Sequence, residues 1–129
     1  MRKRLLFAMA LAVGALGAGP ALAHHGTAGY DAAKTVTLAG TVTKYTWANP
    51  HAVVYLDAKD DTGSVRHWAV ELAAPLLMER VGWTKSSMKP GDHIVAEAHP
   101  AKNGAPVGIG GTATFVLKFV VNGTALPQQ

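Results

Sequence analysis

Two histidines stand side by side at positions 24 and 25, directly after Ala21-Leu22-Ala23. If a peptidase cuts after Ala23, His24 carries a free α-amino group. Its amine and imidazole can then chelate a metal in a single ring. His25 adds a second imidazole, and the intervening peptide nitrogen joins on deprotonation. Nitrogen-rich planar sites of this kind favour copper, which heads the divalent affinity order, and zinc is the less favoured alternative. An α-amine titrates at about 8 and an imidazole at about 6.5, so binding strengthens as pH rises through that range. The plainer reading is a solvated arm, because any peptide that begins His-His binds some copper.

A third histidine, His51, follows Asn49-Pro50 and opens an alternating run. Its odd residues His51, Val53, Tyr55 and Asp57 share one face. Val65, His67, Ala69 and Glu71 do the same on the next run. A hairpin through residues 60–63 would set His51 opposite Glu71 and Tyr55 opposite His67, with Cβ atoms roughly 5 Å apart. A carboxylate beside a histidine fixes its tautomer and raises its basicity, as the groups behind metal ligands do. A cross-strand hydrogen bond that only stabilises the sheet is the alternative, and it suits His67 and Tyr55 better than His51. Trp47, Tyr55 and His67 are candidates for a ligand-binding face. Trp68 and Trp83 read as core or rim packing, and His93 and His99 as solvated outward residues.

Other chemistry has little support. The glycines at 108, 110 and 111 follow no strand-to-helix pattern, so they form no dinucleotide fingerprint. There is no nucleophile elbow, no His-Glu-x-x-His and no phosphate loop. Ser64, Ser86 and Ser87 have no base at a recognisable spacing.

The elements that must position these residues are mostly strands. Residues 35–47 are rich in β-branched residues, with Val36, Leu38 and Val42 on one face, and Pro50 ends that pattern. Residues 51–58 turn Ala52, Val54, Leu56 and Ala58 inward. Residues 65–72 do so with Trp68, Val70 and Leu72. The period then changes, and residues 74–81 suit one short helix stopped by Gly82. Lys89-Pro90-Gly91-Asp92 turns into a fourth strand carrying Ile94, Ala96 and Ala98. A glycine-rich loop follows, and residues 112–121 form a fifth strand with Phe115, Leu117 and Phe119 on one side. Three strands, a helix and two strands predict an all-β domain with one short helix, built as a small five-stranded OB-fold-like barrel. An open antiparallel sheet or sandwich is the alternative.

The first 23 residues have a different character. Arg2, Lys3 and Arg4 precede an apolar run from 5 to 19, and Ala21 and Ala23 supply small residues for cleavage. This three-part pattern predicts a removable secretory signal, hence a periplasmic protein. The apolar run is shorter than the roughly 20 residues that span a bilayer, so no stable membrane insertion is expected. The chain divides into a signal at 1–23, an extended arm at 24–34 and an OB-like domain at 35–126. Without the signal, Lys plus Arg falls from 12 to 9 against 8 acidic residues. A surface so near neutrality offers nucleic acid no electrostatic hold. There are no cysteines, so no disulfide supports the domain.

The stretch 24–102 resembles the DUF6152 family of small exported bacterial proteins of unknown function. The resemblance rests on His24-His25, on Thr37-Leu38-Ala39-Gly40-Thr41-Val42 and on Trp47-Ala48-Asn49-Pro50-His51. Tyr55-Leu56-Asp57, Gly82-Trp83-Thr84, Lys89-Pro90-Gly91-Asp92 and Pro100-Ala101-Lys102 complete it. A Ser commonly follows the histidine pair in such proteins, whereas Gly26 does here. The resemblance implies compartment and architecture rather than an activity.

Three readings follow from the residues. The first is a periplasmic carrier or accessory protein that binds copper, or less readily zinc, through His24, His25 and His51, with Glu71 behind His51. The second is a binding module that grips a small ligand or a protein partner on the barrel face, without metal. The third is an oxidative enzyme. Nothing supplies it with substrate specificity, so a catalyst is not expected.

Overall fold

The computed structural model describes residues 26–111 and 117–128. Alternation of buried and exposed side chains builds the first four strands. They are β1 (Val36–Thr46), β2 (Val53–Lys59), β3 (Val65–Glu71) and β4 (His93–Pro100), with helix α1 (Pro75–Arg80) between β3 and β4. Strand β5 (Val107–Ile109), β6 (Phe119–Val121) and β7 (Thr124–Ala125) follow.

The pairing order β1-β2-β3-β5-β4 closes on itself through β1–β4. Every pairing in that ring is antiparallel except β3–β5, which is parallel. A closed five-stranded barrel with a helix between its third and fourth strands is the OB-fold layout. Strands β6 and β7 extend it beyond β4.

The inward residues fill the barrel. Leu38, Val42, Val54, Leu56, Val70, Ile94, Ala96 and Phe119 are all buried. Met78 of α1 and Trp83 close the core, and the Trp83 ring meets Phe119 edge-on at 5.1 Å. The Trp83 Nε1–H donates to the Pro127 carbonyl at 2.7 Å, so the tryptophan is buried without an unmet donor. A bulge between Val42 and Lys44 shifts the alternation of β1. Tyr45 therefore packs against the core while Lys44 stays exposed.

Three expectations are corrected. The glycine-rich loop after β4 contains β5, the strand that closes the barrel. Its one glycine, Gly108, and Gly110 just beyond it stand where the neighbours leave no room for a side chain. A Cβ on Gly110 would lie 2.6 Å from Phe119 Cζ, and one on Gly108 would lie 3.0 Å from the Ala98 Cβ. The expected strand at 112–121 is β6 from Phe119 onward. Its residues 112–116, Phe115 among them, lie outside the described residues.

The third correction is the β2–β3 register. Asp60 Oδ1 accepts hydrogen bonds from Thr62 N at 2.9 Å, Thr62 Oγ1 at 2.6 Å and Ser64 N at 3.0 Å. The Asp60 N–H donates to the Ser64 carbonyl at 2.9 Å. These bonds make residues 60–64 one closed turn, so Lys59 pairs with Val65. Val53, not His51, is then opposite Glu71, and Asp57, not Tyr55, is opposite His67.

Candidate functional site

His51 lies just ahead of β2, held by its neighbour. Ala52 N–H donates to Ala73 O at 3.1 Å, and Leu72 N–H donates to Ala52 O at 2.8 Å. His51 shares the outward face with Val53, so Glu71 is its diagonal neighbour across the ladder, a distance that long side chains bridge. His51 Nδ1 and Glu71 Oε1 are in contact. The imidazole side chain is 42% exposed and the carboxylate 17%. A carboxylate oxygen accepts, so Nδ1–H donates and Nε2 carries the lone pair of the neutral ring. The structure thus brings His51 to Glu71 despite the corrected register.

The second outward histidine has a different partner from the expected one. His67 Nδ1 is 2.5 Å from Asp57 Oδ1, in the open, with an imidazole 83% exposed. Tyr55 faces Ala69 and lies under Lys44 Nζ, 5.5 Å from its ring centroid. Trp47 packs against the core beside Tyr45, ring centroids 5.8 Å apart. Tyr55 and His67 are diagonal neighbours on the outward face.

The arm is where sequence reasoning missed most. It docks on the barrel. Tyr30 bridges to Ala101, and Asp31 N–H donates to Pro100 O at 2.9 Å. His99, expected to be solvated, is 9% exposed, with Nδ1 2.7 Å from Lys34 O. A carbonyl only accepts, so Nδ1–H is the donor. Ile109 pairs with both Glu71 and His99 and is 8% exposed. Burial raises the Tyr30 phenol above its ordinary pKa, and the nearby Glu71 carboxylate raises it further. The Gly-Ala-rich composition of the arm gave no periodic signal for this. The one available clue was an isolated tyrosine in an otherwise small-residue stretch.

His24 and His25 lie outside the described residues. Among the described residues no group of three or more His, Cys, Asp or Glu side chains could hold a metal ion. No helix among them is long and apolar enough to cross a membrane.

Among solved structures, the chain is similar to a mitochondrial single-stranded DNA binding protein of S. cerevisiae, Rim1. The identity is 8% and the TM-score 0.47, over 68% of this chain and 92% of that one. A comparison with curated proteins found no match. The model of a family of unknown function (DUF6152) matches residues 12–111, and the chain belongs to that family.

Proposed function

We propose that this DUF6152 member is an exported, non-catalytic copper-binding protein, a carrier or accessory whose site is shared between arm and barrel. The ligands would be the amine and ring of His24, the ring of His25 and Nε2 of His51. Zinc would occupy the same set more weakly. Glu71 would orient His51 and place negative charge behind the cation.

The observation that supports this reading is the course of the arm. It docks at the end of β4, where Tyr30 bridges to Ala101 and Lys34 O meets the buried His99; His99 pairs with Ile109, which pairs with Glu71, the carboxylate that touches His51. His25 is five residues ahead of Tyr30, a reach of at most roughly 17 Å. Among the described residues a metal has only His51 with Glu71 at this place, so a closed site needs ligands from the arm. The reading also requires removal of residues 1–23, because only a free α-amine completes the His24 chelate. Export and the periplasm belong to the proposal for that reason.

The test is Cu(II) titration of protein purified from the periplasm, with its mass measured intact. The expected mass starts at His24, with one tight copper, and His51→Ala weakens binding by about tenfold, roughly 1.4 kcal/mol. Equal binding by the variant would reduce the pair to a chelating tail. The outward face around Tyr55 and His67 would then become the site to probe for a small ligand or protein partner.

A further inference from the structure

The outward face of β2 carries a patch that the copper reading leaves unused. Two rows of side chains lie across three strands. Lys44, Tyr55 and Ala69 are in register in one row, and Thr41, Asp57 and His67 in the next. Rows two residues apart along a strand are about 7 Å from each other, and three adjacent strands span about 10 Å. Lys44 reaches the Tyr55 ring from β1, and on the β3 side the neighbour of that ring is only the methyl of Ala69. His67 is 83% exposed, and its Nδ1 is 2.5 Å from Asp57 Oδ1. A carboxylate only accepts, so Nδ1–H donates and the neutral ring presents Nε2 as an acceptor. Among the described residues, Lys44 Nζ, Tyr55 Oη, Thr41 Oγ1, Asp57 Oδ2 and His67 Nε2 have no hydrogen-bond partner.

We propose that this patch is a binding site for a neutral sugar, its pyranose ring stacked on Tyr55 and its hydroxyls bonded to the polar groups around it. Three properties select that ligand. The face of an aromatic ring is negative and the C–H groups of a pyranose are slightly positive, so the two attract while apolar surface is buried. A hydroxyl both donates and accepts. It can therefore satisfy a donor in Lys44, acceptors in Asp57 and His67, and the hydroxyls of Thr41 and Tyr55. The patch also carries one cation and one anion, which cancel while the imidazole is neutral. A phosphate or carboxylate would meet Asp57 and a cation would meet Lys44, so an uncharged ligand fits best. A nucleobase would stack on Tyr55 as well, but its phosphate would face the same carboxylate. The site uses neither His51 nor Glu71, so it stands or falls apart from the copper site.

The test is titration of the protein, followed by its amide nuclear magnetic resonance spectrum. The probes are maltose, cellobiose, lactose and N,N′-diacetylchitobiose, with adenosine monophosphate as the charged aromatic comparison. At least one disaccharide is expected to shift the signals of Tyr55, Asp57, His67 and Ala69 together, and the nucleotide to bind there more weakly. Tyr55→Ala should weaken that sugar by about tenfold. His67→Ala, a change at an exposed ring, should weaken it by about threefold. Ala69→Gln separates binding from folding. It removes no polar group, sets a long side chain beside the ring, and should abolish the shifts with the rest of the spectrum unchanged. The proposal is overturned if no sugar of the set moves these signals, or if the shifts survive both Tyr55→Ala and Ala69→Gln. Tighter binding of the nucleotide than of every sugar would overturn it too.

Discussion

Glu71 touches the imidazole of His51, and its charge adds to burial in raising the Tyr30 pKa. A neutral amide would still accept a hydrogen bond from His51 Nδ1 but would bring no charge. Glu71→Gln is therefore expected to weaken copper binding by about tenfold, at the lower end of what such supporting groups contribute. Chelator competition would measure it, and an unchanged affinity would leave Glu71 a structural partner only. The same variant has a second readout in the ultraviolet titration of Tyr30. Its pKa should fall, yet stay above the ordinary tyrosine value, because burial is the larger cause of its elevation. Asp92 illustrates a residue whose charge belongs to the fold. Lys89 Nζ at 2.6 Å, Lys89 N at 2.8 Å and Asn122 Nδ2 at 3.0 Å all donate to its carboxylate. These donors lower its pKa from 3.8 to about 2. The ionised form is favoured in the folded state, so its contribution is present above the ordinary pKa. It is lost as pH falls through about 2. Asp92→Asn should flatten the fall in urea midpoint between those two values. A fall as steep as that of the wild type would assign acid sensitivity to other carboxylates.

Alternation made β1 to β4 legible because burial on one face leaves a period of two in the residues themselves. Register was less so. The rule that outward residues pair across a hairpin is sound, but the pairing depends on how many residues the turn consumes. Asp60 decides that through three hydrogen bonds that composition does not reveal. Strand β5 escaped detection for a related reason. Gly108 within it and Gly110 just after it serve close approach to Ala98 and Phe119, contacts made across the barrel and invisible along the chain. The His51–Glu71 pair was legible from parity alone, which a shift of two residues preserves. The same crowding that hid β5 yields a prediction at this scale. A Cβ at Gly40 would lie 2.0 Å from the backbone oxygen of Asp57, where β1 crosses β2. Backbone cannot swing aside as a side chain can, so Gly40→Ala should destabilise the barrel by about 3 kcal/mol. Urea unfolding would show it, and a loss below about 1 kcal/mol would mean that β1 and β2 separate there at little cost.

The molecule as a whole is a closed barrel with a strap. The barrel buries its own core, from Leu38 on β1 to Phe119 on β6. The arm lies along the end of β4 and meets the buried His99 through the Lys34 carbonyl. These roles are separable. A chain that starts at Tyr30 keeps the contacts of Tyr30, Asp31 and Lys34 with the barrel. It should unfold at nearly the wild-type urea concentration while losing the tight copper site. A large loss of stability would instead make residues 24–29 part of the fold.

The central claim is that one copper ion is held by the arm and the barrel together. Paramagnetic broadening of the amide nuclear magnetic resonance spectrum by a single equivalent of Cu(II) tests it most directly, using protein whose intact mass starts at His24. The account predicts that the amide signals of His51, Ala52, Glu71 and Tyr30 broaden together with those of residues 25–29. The signals of His67, on the same sheet but paired with Asp57, stay sharp. Broadening confined to residues 25–29, with His51 and Glu71 unaffected, would contradict it.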